Sequence, residues 1–396
     1  MPTTVLKNLM YRCALPFQAP RLDAGPDGLA VTGSRLYTQP AYVRLLKRHH
    51  VLGSAALLRD GSNRVTLLCS SRNPAHPVRE NSLFRVASIT KMAASLAALI
   101  AVEQGKLSLS APVSGFFPDP GAVPQLDRIT LTHLLSHTSG LKDPDNLEDA
   151  LLRKVPFSEL LPDSAVSAPG TEFRYSNLGF GLVGCLLEAV YGQPVSRILE
   201  DLVFRPLDMN AELDASRLDP ERIVPISRIL PWRPGRDLRI TPLGAVPLTG
   251  PDPLRHYGHT AGSMYLDLAS LEKLVQCLMK DGAPLLKTGL GKQMAQEHAV
   301  YGPISPTLSY GLGILRIRDS SLSDHLILGH QGFAYGCADG AFWEEGTGRM
   351  VLFLNGGASE ARKGRLGLCN YEVLRWALKT EMPRWRDPAA PGTPEK

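Results

Sequence analysis

The sequence has few of the features that mark a metal-stabilised or disulfide-stabilised protein. Its 396 residues include only six cysteines, and none of them forms a Cys-x-x-Cys pair. They are widely separated along the chain, at Cys13, Cys69, Cys185, Cys277, Cys337 and Cys369. Zinc ribbons need closely spaced cysteines, and small secreted domains need a dense disulfide framework. The spacing therefore predicts free thiols in a reducing compartment.

An excess of charge of one sign and long apolar runs are also missing. The chain carries 43 basic and 38 acidic residues, a net charge of +5, without a long basic run. This balance argues against nucleic acid as a partner. Lys7, Arg12, Pro16 and Pro20 interrupt the first twenty residues, and the longest apolar stretch, after Met92, is too short to cross a bilayer. We therefore predict a cytoplasmic protein without a signal peptide or a membrane span.

Strand-like runs lie near both ends of the chain, and helical patterns lie between them. VLGSAALLRD and RVTLLCSS flank a hairpin signal at Asp60-Gly61, and YGLGILRI, HLILGHQ and RMVLFLN lie in the last third. Hairpin-connected neighbours favour an antiparallel sheet. We therefore predict an α/β (α+β) fold, in which one antiparallel sheet is flanked by helices and carries an inserted all-α lobe.

The predicted domains follow from this pattern. Residues 1–115 together with residues 257–396 would form the sheet domain, and residues 116–256 a mostly helical inserted lobe. The lobe would end in a Pro-rich loop at about residues 215–256, where little periodicity is seen. A cleft between sheet and lobe is where we expect a ligand.

The strongest chemical signal is Ser88-Ile89-Thr90-Lys91. A serine hydroxyl is a weak nucleophile unless a nearby base removes its proton. At a helix N-terminus the amide dipoles favour the developing negative charge, and a lysine three residues later lies on the same face. The Ala-rich helix that follows is apolar, so burial would lower the lysine pKa and allow it to act as a base. Ser88 is the candidate nucleophile and Lys91 the candidate base.

The Ser-x-x-Lys pattern alone is weak, because it also occurs at Ser139-Lys142 and Ser270-Lys273. The first of these follows the end of a helix, and the second lies within an amphipathic helix where the lysine would be a surface charge. Only Ser88 joins a strand-like run to a buried helix. The alternative for Ser88 is a helix cap with a structural lysine.

A second element is Tyr175-Ser176-Asn177, the only Tyr-x-Asn in the chain, on the turn that enters a helix. A tyrosine beside a lysine can relay a proton to a leaving group, and an amide can orient both lysine and substrate. The alternative is a helix N-cap followed by a packed tyrosine.

A third element is His330-Gln331-Gly332, which follows the strand-like run HLILG. Glycine there would allow the backbone to pass close to a ligand. The strand could hydrogen-bond a substrate and supply one amide to an oxyanion hole, with the Ser88 amide as the other donor. A second His-x-Gly at His256 has no strand before it and is discounted.

His133 and His137 form an i, i+4 pair that could bind a metal ion. No His-Glu-x-x-His glutamate lies between them, and no third ligand is evident. We predict no metal and no cofactor.

The ordered set of Ser88-x-x-Lys91, Tyr175-x-Asn177 and His330-x-Gly332 resembles the penicillin-recognising serine hydrolases. It is most similar to the class C β-lactamase-related branch, which includes DD-carboxypeptidases, D-amino-acid peptidases and esterases. Similar stretches are EQGKLSLSAPVSGFFP, ITLTHLLSHTSGL, PGTEFRYSNLGFGLVG and HTAGSMYLDLASLEKL. The resemblance covers roughly residues 50 to 380.

The resemblance implies an α/β lobe with an antiparallel sheet, an all-α lobe, and an acyl-enzyme formed at Ser88. The implied roles are proton transfer for Lys91 and Tyr175, substrate positioning for Asn177, His330 and Gly332, and oxyanion binding for the backbone N–H groups of Ser88 and Phe333. One departure matters: class C β-lactamases carry Lys-Thr-Gly where this chain has His330-Gln331-Gly332. Without that lysine and threonine, binding of a β-lactam carboxylate is less favoured.

We therefore expect a serine hydrolase that acts on a small ester, amide or D-amino-acid peptide. Two alternatives stay open: a non-catalytic or slowly acylating penicillin-binding sensor, and a true class C-type β-lactamase. The expected partner is a small-molecule substrate, and the sequence does not indicate the oligomeric state. Specificity would depend on residues 215–256 and on the residues after His330.

Overall fold

The strand-like runs from the two ends of the chain join in one eight-stranded antiparallel sheet. The computed structural model describes residues 4–14, 40–70, 77–117, 123–230, 233–303 and 305–379. The strands of the large sheet are β1 (Gly53–Asp60), β2 (Asn63–Cys69), β8 (Ala299–Val300), β9 (Leu308–Tyr310), β10 (Leu315–Ile317), β11 (Ile327–Gly332), β12 (Asp339–Glu344) and β13 (Met350–Gly356). Their order is β2-β1-β13-β12-β11-β10-β9-β8. The pairing of β1 with β13 places Gly53 opposite Gly356. It thereby joins strands from the early and late parts of the sequence in one sheet.

The remaining strands of the described residues form three smaller sheets. A three-stranded sheet in the order β3-β7-β4 contains β3 (Phe84–Arg85), β4 (Ala211–Glu212) and β7 (Tyr265–Leu266). Two hairpins are β5 (Ile226–Leu230) with β6 (Arg233–Leu238), and β14 (Arg362–Lys363) with β15 (Leu366–Gly367). The β5–β6 hairpin and the short turns of helix at 215–217, 220–222 and 243–245 give the Pro-rich segment more order than the sequence predicts.

Twelve α-helices are described. They are α1 (Thr4–Ala14), α2 (Pro40–Arg48), α3 (Thr90–Glu103), α4 (Leu131–Leu135), α5 (Leu147–Leu152), α6 (Phe157–Ser164), α7 (Asn177–Tyr191), α8 (Val195–Leu199), α9 (His259–Gly262), α10 (Leu268–Met279), α11 (Leu290–Ala295) and α12 (Leu368–Lys379). A π-helical turn over Glu200–Phe204 follows α8.

Helices cover both faces of the large sheet. Because successive side chains of a strand point to opposite faces, Ala55 and Leu57 of β1 join one apolar core while Ala56 and Leu58 join another. The first core contains α3, α7 and α10, and the second contains α2 and α12. An antiparallel sheet flanked by helices is the predicted fold class, which is confirmed.

The position of the domain boundaries stays a prediction. Helices α4 to α8 and strands β4 to β6 all come from the predicted insertion of residues 116–256. The first apolar core contains side chains from this segment and from α3, which precedes it.

Among the described residues, no single helix is long and apolar enough to cross a membrane. The pair Asn177–Tyr191 and Val195–Phe204 reaches that length only across a bend of 86°, and Leu178–Glu188 within it are buried. Pro16 and Pro20, which bear on the predicted lack of a signal peptide, lie outside the described residues. The cytoplasmic location stays a prediction. All six cysteines are free, and only Cys13 is exposed.

Candidate active site

A tight turn between β3 and α3 holds the candidate nucleophile. Residues Ala87–Ile89 form one 3-10 turn, and α3 begins at Thr90. Ala87 has φ 44°, a left-handed conformation that is costly for a residue with a Cβ and is retained only where the surroundings enforce it. The Thr90 hydroxyl donates to Ala87 O at 2.6 Å and accepts from Met264 N at 3.1 Å, which fixes the turn. Ser88, at its centre, is half-buried at the wall of a cavity.

Lys91 is the second residue of α3 and is fully buried. Its Nζ lies 3.2 Å from Ser88 Oγ, 2.9 Å from Asn177 Oδ1 and 2.6 Å from Ala261 O. Burial lowers the Lys91 pKa to about 7, because loss of water disfavours the ammonium form; Asp143 opposes this shift. The amine can therefore lose its proton near neutral pH.

Tyr175 also contacts Ser88. Its hydroxyl donates to Ser88 Oγ at 2.9 Å. Desolvation raises the pKa of Tyr175 far above its ordinary value, so the phenol stays protonated at neutral pH. The Lys91 amine lies 5.0 Å from the centre of the Tyr175 ring.

The His137 side chain packs against the Tyr175 ring. The two rings pack with their centres 4.2 Å apart. His137 Nδ1 accepts from Ser176 N at 3.2 Å, and His137 O accepts from Arg174 N at 2.8 Å. The residues on both sides of Tyr175 are thus fixed to His137. From the sequence, the i, i+4 spacing of His133 and His137 indicates only a possible metal ligand.

Asn177 is the first residue of α7, after the N-cap residue Ser176. Its Oδ1 faces Lys91, and its Nδ2 donates to Asp143 Oδ2 at 2.8 Å. Asp143 Oδ1 accepts from Ser176 Oγ at 3.0 Å and from Leu178 N at 2.9 Å. Asp143 could not be predicted from the sequence, since a single loop aspartate 34 residues before Asn177 carries no pattern.

His330 lies near Tyr175, and both of its ring nitrogens have hydrogen-bond partners. Its Nδ1 lies 2.7 Å from Gln331 O, which can only accept, so Nδ1 carries the proton. The Tyr310 hydroxyl then donates to Nε2, at 2.7 Å. Burial, with a smaller effect of Lys91, lowers the His330 pKa to about 3, so the ring is neutral. Direct hydrogen bonding of the ring to a substrate stays a prediction that this arrangement does not favour.

Gly332 allows the end of β11 to lie against the nucleophile turn. A Cβ at this position would lie 2.4 Å from Val86 O and 2.8 Å from Asp339 Oδ2, so no other residue fits without displacement. Phe333 follows and lines the same cavity as Ser88. The roles of the Ser88 and Phe333 backbone amides in an oxyanion hole stay predictions.

The cavity has a volume of about 1010 Å³. Ser88, Tyr175, Asn177 and His330 contribute to its wall. Apolar and aromatic side chains form much of the remainder, among them Leu147, Leu151, Leu243, Tyr257, Tyr301, Phe333 and Tyr335. Leu243 comes from the Pro-rich segment, and Phe333 and Tyr335 follow His330. Both segments that the sequence links to specificity therefore contribute to the wall.

The residues of the other candidate motifs do not line this cavity. Lys142 is exposed, and Lys273 pairs with Asp208 at 2.7 Å. His133 closes a capping box with Thr130 at the start of α4. No cluster of three or more metal-binding side chains occurs within the described parts of the chain.

Comparison with known proteins gives the family. The Beta-lactamase family model matches residues 39–365. Esterase EstB of Burkholderia gladioli is 34% identical over 202 residues, 45% of this chain and 50% of the relative. The D-alanyl-D-alanine-carboxypeptidase/endopeptidase AmpH of Escherichia coli K12 is 32% identical over 168 residues, 40% of this chain and 44% of the relative. The chain thus matches about half the length of these curated relatives.

Solved structures share the fold at low identity. D-amino acid amidase from Ochrobactrum anthropi SV3 superimposes with a TM-score of 0.65 at 22% identity, covering 82% of this chain and 92% of that protein. EstCE1, a hydrolase with promiscuous acyltransferase activity, gives a TM-score of 0.63 at 21% identity, covering 85% and 96%. Since the family model spans most of the sequence, the chain belongs to the Beta-lactamase family, within the penicillin-recognising serine hydrolases.

Proposed function

We propose that the protein is a serine hydrolase that cleaves a small ester, amide or D-amino-acid peptide through an acyl-enzyme on Ser88. The observation that carries the proposal is the convergence of two groups on one hydroxyl: Lys91 Nζ at 3.2 Å and Tyr175 OH at 2.9 Å from Ser88 Oγ. A nucleophile within hydrogen-bonding distance of a base that is held by further groups is the arrangement expected for covalent catalysis.

Lys91 is the better base of the two. A neutral amine has two N–H groups and one lone pair, and Asn177 Oδ1 and Ala261 O can only accept hydrogen bonds. Both N–H groups therefore have partners, which leaves the lone pair for the Ser88 proton. With a pKa lowered to about 7, Lys91 is unprotonated in a large fraction of molecules at neutral pH. Tyr175, with its pKa raised, acts as a neutral donor instead.

The reaction would run in two halves. As Ser88 Oγ attacks the carbonyl carbon, its proton passes to Lys91 and the carbonyl oxygen becomes an oxyanion near the amides of Ser88 and Phe333. The proton then passes from Lys91 through the Tyr175 hydroxyl to the leaving alkoxide or amine, and the bond to the leaving group breaks. In the second half, water attacks the acyl-enzyme carbonyl through the same two steps. The acid is released and the Ser88 hydroxyl is restored.

An apolar ester is the first substrate class to test. Leu147, Leu151 and Leu243 offer an apolar wall for an acyl or alcohol group. The curated relative EstB is named an esterase, and a structural neighbour is a D-amino acid amidase, which makes amides the second class.

Turnover of p-nitrophenyl acetate and butyrate, D-alanine p-nitroanilide and nitrocefin tests the proposal. We expect steady turnover of an ester, lost by about 10³-fold or more in Ser88→Ala and retained in Ser270→Ala, the serine of another Ser-x-x-Lys match. A burst without later turnover would indicate a sensor, and nitrocefin turnover faster than ester turnover would indicate a β-lactamase. Unchanged ester hydrolysis in Ser88→Ala would exclude the proposed nucleophile.

A further inference from the structure

We propose that Asp143 is a positioning residue of this site, whose carboxylate fixes the Asn177 amide and thereby the amine of Lys91. The inference rests on the proposed function, since it concerns the base of that reaction. Asp143 lies in the loop between α4 and α5, half-buried beside the N-terminal turn of α7.

Both carboxylate oxygens of Asp143 are engaged by the first turn of α7. Oδ2 accepts from Asn177 Nδ2 at 2.8 Å, and Oδ1 accepts from Ser176 Oγ and Leu178 N at 3.0 Å and 2.9 Å. Negative charge at a helix N-terminus is favourable, so this contact also anchors α7. One side chain therefore holds three consecutive residues of the helix start.

The contact decides which way the Asn177 amide faces. An asparagine side chain can present either its oxygen or its NH₂ group to a neighbour. A carboxylate only accepts, so the NH₂ group turns to Asp143 and Oδ1 turns to Lys91 Nζ, at 2.9 Å. In the opposite orientation the NH₂ group would face the amine, which would lose its acceptor. The Lys91 lone pair would then no longer be directed at Ser88.

The same carboxylate opposes the effect of burial on Lys91. The charged and titratable groups that face Lys91 are Asp143, Arg85, Tyr175, His137 and His330. Burial lowers the pKa of both histidines, so they are neutral near pH 7, and Tyr175 is a neutral phenol. Among these groups Asp143 supplies the negative charge, while Arg85 acts in the opposite direction.

The variant Asp143→Asn separates this role from a structural one. Removing the carboxylate disfavours the ammonium form, so the Lys91 pKa should fall below its value of about 7. We expect the acidic limb of kcat/KM for Ser88-dependent ester hydrolysis to move about one unit to lower pH. We also expect the plateau rate to fall, because the Asn177 amide is no longer held in one orientation.

Two matched variants control for loss of the cap and loss of the charge. Ser176→Ala removes the capping hydroxyl and keeps the carboxylate, so Tm should fall while the midpoint of the acidic limb stays. Asp149→Asn removes one negative charge from an exposed residue of α5 that pairs with Arg153, and should change neither rate nor midpoint. A midpoint in Asp143→Asn equal to that of wild type, or an equal shift in Ser176→Ala, would overturn the inference.

Should Asp143→Asn not fold, Asp143→Glu and Asp143→Gln provide the same comparison, because the two side chains differ in charge and little in shape. A profile of the Gln variant displaced to lower pH supports the role, and coincident profiles contradict it. Hydrolysis that persists in Ser88→Ala would refute the proposed function itself, which is a different outcome from an unshifted profile.

Discussion

In the proposed reaction, the buried amine of Lys91 is the group on which the chemistry depends. Lys91 has three neighbours within hydrogen-bonding distance, two of which can only accept, and this leaves its third direction for Ser88. A lysine with an ordinary pKa would be protonated at neutral pH and could not take the serine proton. The proposed reactivity of Ser88 therefore depends on how deeply α3 buries Lys91, three residues later.

The pH dependence of the wild-type protein tests this. Protonated Lys91 cannot act as a base, so kcat/KM for an ester should rise with pH through about 7 and level off above it. Below the midpoint the rate should fall about tenfold per pH unit. The measurement is initial rates from pH 5 to 9, with the unfolding temperature followed in parallel as a control. A profile that is flat over this range in folded protein would exclude Lys91 as the base.

Sequence patterns could predict some of the site residues and not others. Ser88 and Lys91 are three residues apart, so their proximity is local, and the motif together with the buried helix that follows it is enough to predict the pair. Asp143 and Asn177 are far apart in sequence, and they come into contact only because the chain between α4 and α7 folds back on itself. The i, i+4 spacing groups His137 with His133, but α4 ends at Leu135 and His137 has φ 58°, so its ring packs against Tyr175 instead.

Among the secondary-structure elements, helix α7 fixes the geometry of the site through its close packing. Its glycines weaken the helix intrinsically, but they allow a close approach to the segment that contains α9. A Cβ at Gly181 would lie 1.5 Å from Tyr257 O, and one at Gly184 would lie 2.9 Å from the Thr260 side chain. This approach places Ala261 O, an acceptor for Lys91, beside the start of α7.

The variant Gly181→Ala tests that contact. The new methyl group must displace backbone, which we expect to lower the free energy of unfolding by about 2 kcal/mol or more. Activity should fall too, since Ala261 O would move away from Lys91. Gly115→Ala, where a Cβ meets nothing within 4 Å, should change stability by less than about 0.5 kcal/mol. Denaturant unfolding of both variants is the measurement, and equal stability would show that the approach is not tight.

At the scale of the whole molecule, the two faces of the large sheet carry different helices. Ser88 and α3 lie on the side of the first apolar core, while α2 and α12 pack on the other. There His49 Nε2 lies 2.7 Å from Glu372 Oε2, and Arg48 contacts the same carboxylate. Stability and catalysis should therefore be separable by substitutions on this second face.

Glu372→Gln tests that separation. Burial opposes ionisation of Glu372, but its hydrogen bond with His49 and the charges of His49 and Arg48 outweigh burial and lower its pKa. Its stabilising effect is thus complete above the ordinary glutamate pKa near 4.5 and is lost as the pH falls through the lower folded value. At pH 7 the variant should lose about 1 kcal/mol of stability, since a neutral hydrogen bond replaces a charged one.

The difference in stability between Glu372→Gln and wild type should shrink in acid, and ester kcat at pH 7 should stay unchanged. Unfolding curves between pH 3 and 7 measure the first, and steady-state rates measure the second. A large loss of kcat would contradict the separation of the two faces.

The sheet could be predicted from the sequence because the strand patterns near each end are local. The pairing of β1 with β13 could not, since the register joins residues such as Ser54 and Asn355 through contacts that no local pattern records. The β5–β6 hairpin was hidden because its strands, ISRIL and RPGRDL, contain arginines and a proline in place of regular alternation. Tertiary context determines both features.

Covalent labelling distinguishes Ser88, the proposed nucleophile, from the other serines of the chain. Wild type, Ser88→Ala and Ser270→Ala are treated with a fluorophosphonate probe, and their intact masses are measured. We predict that wild type and Ser270→Ala each gain the mass of one probe molecule and that Ser88→Ala gains none. Labelling of folded Ser88→Ala to the same extent as wild type would show that Ser88 is not the nucleophile.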